Sequence, residues 1–149
     1  MISVKIKKFT SYDESQLLLF MRVLISAGLF YPSKLGGPAN TLYWLAKSLV
    51  SNNIIVSVVS SNKHIEDGLV EFNEWTEIDN IRVRYCTVNL KLSLSVIFHS
   101  LKELFKSDVV LLSSIFYIPS FFIALFATLT SKKIIWSPRG ELFNSAING

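Results

Sequence analysis

The chain has 149 residues, enough for one domain with a substantial core and short for a two-domain enzyme. Half of the residues are hydrophobic and only 17% are charged, so some elements must be buried on all sides. The net charge of +4 is modest, and no dense Lys/Arg stripe with interleaved aromatics follows, which argues against nucleic acid as a partner.

Residues 1–20 read as an N-terminal extension: they are polar around KIKKFTSYDESQ and show neither helical nor strand period. Lys5, Lys7 and Lys8 suit a solvated tail, and they also suit rest near an anionic membrane surface. The apolar run over residues 17–29 is cut by Arg22, so no export signal is expected and the location reads as cytoplasmic. Met21 can itself serve as a start. Cys86 is the single cysteine, which rules out a disulfide framework or a CxxC metal site and reads as a small buried hydrophobe.

Residues 22–27 (RVLISA) form a short β-capable run that ends at Gly28, and residues 29–37 supply loop chemistry through Pro32, Ser33, Gly36 and Gly37. Pro38 suits a first helical position, and Leu42, Leu45, Ala46, Leu49 and Val50 behind it mark one buried helix face that ends near Asn52 and Asn53. Residues 54–60 (IIVSVVS) have the near-continuous β-branched pattern of a strand covered on both faces. Residues 62–80 are polar and mixed, and read as a long connection with room for a short helix. Residues 81–87 suit a further strand, after which Leu94, Ile97, Phe98, Leu101, Leu104 and Phe105 repeat at amphipathic-helix spacing.

No charged residue lies between Asp108 and Lys132, and a run of about 20 such residues is a transmembrane candidate. Ser113, Ser114, Pro119 and Ser120 break it, so the preferred reading is a strand over residues 108–113 and a helix from Ile118 or Pro119 to Leu129. Phe121, Phe122 and Phe126 then leave an apolar face for membrane or partner contact. Residues 132–137 (KKIIWS) close the series as a strand. This βαβα order predicts an α/β, Rossmann-like, doubly wound and mostly parallel sheet with helices on both faces.

Ligands of such a sheet bind beyond the carboxyl ends of its strands, which directs attention to three loops. Gly36, Gly37 and Asn40 stand at a helix start, where exposed N–H groups and the helix dipole favour a phosphate; the same pattern also suits a plain flexible loop. Ser113 and Ser114 can donate to sugar oxygens or satisfy local backbone groups. Arg139 in Ser137-Pro138-Arg139-Gly140-Glu141 offers a permanent fork-shaped charge for phosphate or carboxylate, or for a structural ion pair. His64 and His99 read as isolated surface residues without metal-ligand spacing, and no carboxylate pair stands out as an acid/base couple.

Read together, RVLISAGLFYPSKLGGPANTLYWLAKSLV, DVVLLSSIFYIPS and KKIIWSPRGEL resemble the N-terminal domain of group 1, or family 4, glycosyltransferases of the GT-B architecture, over residues 21–149. The resemblance implies two Rossmann-type domains across a cleft and sugar transfer from a nucleotide donor with retention, without a bound metal or other cofactor. It also implies a glycan or lipid-linked acceptor in cell-surface polysaccharide or lipopolysaccharide synthesis, and the lysines and the phenylalanine face are compatible with peripheral contact at the inner face of the membrane. By the same resemblance Gly36 and Gly37 match the glycine loop that faces the donor diphosphate, and Arg139, Gly140 and Glu141 match the turn lining the cleft. Many relatives carry a histidine where this chain has Leu111 and Ser113, so no histidine role carries over.

The chain ends at Gly149 with no second domain in view, so the expectation is an N-terminal fragment whose donor-binding half is absent and which is inactive alone. Two alternatives are a non-enzymatic nucleotide- or partner-binding module of the same fold and a small protein anchored in a membrane by residues 109–129.

Overall fold

The computed structural model describes residues 20–88 and 93–138, together with the backbone of residues 6–8. These form seven strands and three helices: β1 (Ile6–Lys8), β2 (Arg22–Ala27), α1 (Gly36–Ser51), β3 (Ile55–Ser61), β4 (Trp75–Ile78), β5 (Ile81–Cys86), α2 (Leu94–Leu104), β6 (Val109–Leu112), α3 (Ile118–Leu129) and β7 (Lys133–Trp136). One sheet in the order β1-β4-β5-β3-β2-β6-β7 contains them all. The strands β5, β3, β2, β6 and β7 run parallel, and β4 joins β5 and β1 antiparallel. The fold is α/β and Rossmann-like, as the βαβα reading expects.

Strand alternation explains why both faces are covered. Along β2, Val23, Ile25 and Ala27 point to one side and join Leu42 and Ala46 of α1; Leu24 points to the other and joins Val96 and Leu104 of α2 with Ile123 and Ala127 of α3. Each face therefore buries its own core, and β2 and β3 have no solvated side, which is why both read as continuous apolar runs. Truncating a fully buried member such as Ile25 to alanine carries the usual cost of about 2–5 kcal/mol for a core aliphatic.

The charge-free run resolves into β6 and α3. At 12 residues α3 is about 18 Å long, well short of a hydrocarbon core of about 30 Å. Among the described residues no helix is long and apolar enough to cross a membrane, so an anchor through residues 109–129 is not supported.

Three details differ from the sequence reading. Pro38 is the third residue of α1, not the first; the first four N–H groups of a helix all lack intrahelical partners, so a proline there costs no bond. Residues 62–80 contain strand β4 and no helix: Asp79 and Asn80, both at positive φ, make a two-residue turn that pairs Ile78 with Ile81. In the N-terminal extension, Ile6–Lys8 is a strand that pairs with β4, because the outer edge of β4 offers free backbone groups.

Candidate functional site

The five parallel strands end on one side of the sheet, and the order reverses there between β2 and β6: β3 and β5 lie to one side of β2, β6 and β7 to the other. Such a reversal opens a crevice in which ligands of open α/β sheets bind. The pairings of Ser26 with Leu112 and of Leu112 with Trp136 place Gly28, Ser113 and Ser137 at this same end. Helices α1 and α3 follow β2 and β6, so both N-termini open on it from opposite faces. Neither has a side-chain cap or an acidic residue in its first turn, which leaves N–H groups and a partial positive charge for an anion.

Gly36, Gly37 and Asn40 form the first turn of α1, with Leu35 as an N-cap that has no group to accept from the helix. A Cβ placed on Gly37 would meet nothing within 4 Å, and its backbone lies outside the left-handed region, so neither packing nor conformation demands a glycine. Asn40 is exposed beside it. The preceding loop is tied down. Phe30 is buried, the Ser33 hydroxyl donates to the Lys63 carbonyl at 3.2 Å, the Lys34 amide donates to the His64 carbonyl at 2.8 Å, and the Tyr85 hydroxyl donates to the Tyr31 carbonyl. A loop held at this many points presents Gly37 in a defined position.

Across the crevice Ser113 is buried and Ser114 half-buried. Their segment is braced on β7: the Trp136 indole N–H donates to the Ser114 carbonyl at 3.0 Å, and the Ser137 amide donates to the Leu112 carbonyl at 2.9 Å. Arg139, Gly140 and Glu141 lie outside the described residues; Ser137 and Pro138, which lead to them, leave β7 at the crevice end.

Tyr117, which the motif reading did not single out, is the N-cap of α3 at this end. Its ring lies about 3.5 Å from the position a Cβ would take on Gly28, so a side chain at position 28 would pack directly on it. Burial pushes its hydroxyl up to about 12, against the opposing effect of the Ser93 hydroxyl, so it stays protonated at neutral pH. Ser120, in the first turn of α3, is fully buried, and its hydroxyl has no hydrogen-bond partner among the described residues. The only sequence signal for Tyr117 is its place two residues before Pro119 at a helix start, which says nothing of Gly28, 89 positions away in neither period nor motif.

Cys86 is buried, and burial raises its thiol above the usual value, against offsets from Ser95 and Arg84, so it behaves as a small hydrophobe. His64 is exposed; His99 is half-buried on α2, where burial first, and then Arg84 and Lys102, lower its affinity for a proton. Among the described residues no three His, Cys, Asp or Glu side chains gather to hold a metal.

No protein-family model matches the chain, and no curated protein and no solved structure matches it.

Proposed function

We propose that this chain supplies the acceptor-side domain of a retaining, sugar-nucleotide-dependent glycosyltransferase of the family 4, GT-B type, acting at the cytoplasmic face of a membrane on a glycan or lipid-linked acceptor. The observation that supports the reading best is the uncapped N-terminus of α1, where Gly37 is open to solvent although nothing in the fold requires a glycine. A ligand that approaches the backbone closely does require one. As the bond from the sugar to the diphosphate breaks, the N–H groups and dipole of α1 would stabilise the charge that develops on the leaving oxygen. Ser113 and Ser114 would orient sugar or acceptor hydroxyls, and Arg139 with Glu141 would line the same cleft, as the resemblance implies. On this reading transfer needs a donor-binding domain, in the same polypeptide or another.

The test is an NMR titration of the labelled chain, with a donor-binding domain present, against UDP- and GDP-sugars. Shifts are expected at the amides of Gly36, Gly37, Asn40, Ser113 and Ser114. Gly37→Ala should leave stability unchanged or raise it by about 0.4–1 kcal/mol, because alanine fits the backbone there. The same change should weaken binding roughly tenfold, equivalent to about 1.4 kcal/mol. Shifts confined to other regions, or a Gly37→Ala protein that binds normally, would remove the reading. Movement of labelled sugar to an acceptor, assayed with a donor-binding domain, separates an enzyme from a non-catalytic nucleotide-binding module.

A further inference from the structure

Strand β5 sends two arginines to the face of the sheet that carries α2, and only one of them is neutralised. Arg82 lies between Glu77 of β4 and Ser57 of β3 in the sheet register, and Glu103 of α2 accepts from its guanidinium at 2.9 Å. Arg84, one step along the same face, has Trp75 and Val59 as its lateral neighbours, and neither carries a charge. Helix α2 runs back along the sheet after β5, and His99, one turn before Glu103, comes within reach of the Arg84 charge. A neutral imidazole stands where Arg82 has a carboxylate.

Arg84 forms no ion pair with any described residue. Its Nε–H is buried and has no hydrogen-bond partner. The contacts it does make are weak ones: the Trp75 ring, with its centroid 5.9 Å away, and the Cys86 thiol. Buried donors and cations in folded proteins are paired or hold a water or an ion, so this one calls for a partner. The surroundings select its sign. Burial first, and then the charges of Arg84 and Lys102, lower the affinity of His99 for a proton, and no carboxylate among the described residues opposes them there. Glu103 is committed to Arg82 and Ser57, and Glu77 stands opposite Arg82, one register step away.

The corner is also open to a ligand. Helix α2 packs on β2 and β3, so Arg84 and Trp75 emerge beside it, and Arg84, Trp75, Ser95 and His99 are all half-buried. Ser95 lies one turn before His99 on α2 and meets Cys86, the neighbour of Arg84 on this face of β5. Donors on a strand and on a helix do not share a plane. They suit a tetrahedral oxyanion, which can take the arginine fork on two oxygens and an imidazole N–H on a third, better than a flat carboxylate.

We propose that Arg84 and His99, with Ser95 beside them, bind a phosphate group, free or carried on a larger molecule. The site is on the α2 face, with β5 two strands from β2, whereas Gly37 opens α1 on the opposite face. It is therefore independent of the transferase reading, and Gly37→Ala should leave it unchanged.

The test is an NMR titration of the full labelled chain with inorganic phosphate at constant ionic strength. Two side chains are followed, the His99 imidazole and the Arg84 Nε–H, with the exposed His64 as an internal control. Saturable shifts are expected at both, with a rise in the proton affinity of His99 and none at His64, because a bound anion favours the imidazolium. Arg84→Gln, with an unchanged circular dichroism spectrum, should weaken phosphate binding by about tenfold or more. The Arg84 Nε–H signal of the parent chain answers the question even where that variant fails to fold. Glycerol phosphate binding more tightly than inorganic phosphate would assign the group to a larger ligand, and equal binding to the free ion. The proposal is overturned by the absence of saturable shifts at His99 and Arg84, by an equal response at His64, by acetate matching phosphate, or by a folded Arg84→Gln protein that binds as the parent does.

Discussion

Glu103 sits under α2 and accepts from two residues on different strands: the Arg82 guanidinium at 2.9 Å and the Ser57 hydroxyl at 3.1 Å. Arg82 in turn lies over the Trp75 ring at 3.9 Å, so one carboxylate joins β3, β4, β5 and α2. Desolvation lowers the Arg82 pKa from its ordinary value, the Glu103 charge opposes that effect, and the guanidinium stays charged. Glu103→Ala would take away the anion that balances this cation, and it is expected to destabilise the fold by about 2–3 kcal/mol; the value lies below the full buried-pair range because Arg82 keeps some contact with water. Urea midpoints of the variant and the parent check it, and an unchanged midpoint would show that the pair contributes nothing. Neither Glu103 nor Arg82 was legible as a pair in the sequence, because they are far apart in the chain and share no motif. Gly36, Gly37, Asn40, Ser113 and Ser114 were legible as candidates because glycines and serines at element ends carry a local signal; Tyr117 carries only its place at a helix start, and its contact with Gly28 is set by tertiary packing.

At the scale of elements, α3 shows how a membrane-like run can be a globular helix. Pro119 in its first turn and the serines before it end β6 and start the helix, and both signals are local. Its inner face then uses small residues: Ala124 and Ala127 are buried where α3 meets α2 and the sheet. A larger side chain there must displace its buried neighbours, and leucine forms helix no better than alanine, so Ala127→Leu is expected to cost about 1–3 kcal/mol, read as a lower urea midpoint. A neutral or stabilising outcome would mean that α3 is loosely seated. The β4–β5 hairpin is the contrary case. Asp79-Asn80 between WTEI and IRVRYC has the chemistry of a two-residue turn, since both residues tolerate positive φ, but four residues of strand in a polar stretch give too short a period to read. The turn is also the anchor for α1, where Tyr43 donates to Asp79 and Lys47 meets it at 3.1 Å.

Across the whole molecule, protection should follow the order of the sheet. Strands β2 and β3 are paired on both sides and covered on both faces, whereas β1 and β7 are edges, and β7 has mostly exposed side chains. Amide hydrogen exchange is expected to be slowest in β2 and β3 and fastest in β1 and β7; equal protection in β7 would indicate that its edge is covered in solution. The sequence by itself determined the alternation of strands and helices, the parallel sheet covered on both faces, the inner face of α1 and the division of the charge-free run, because each of these is written in the period and punctuation of neighbouring residues. Only the tertiary structure decided the antiparallel edge made by β1 and β4, the Glu103 network, the seat of Tyr117 on Gly28 and the setting of Arg84 beside His99. Those depend on which distant segments become neighbours, and that is settled by chain closure and packing rather than by any local pattern.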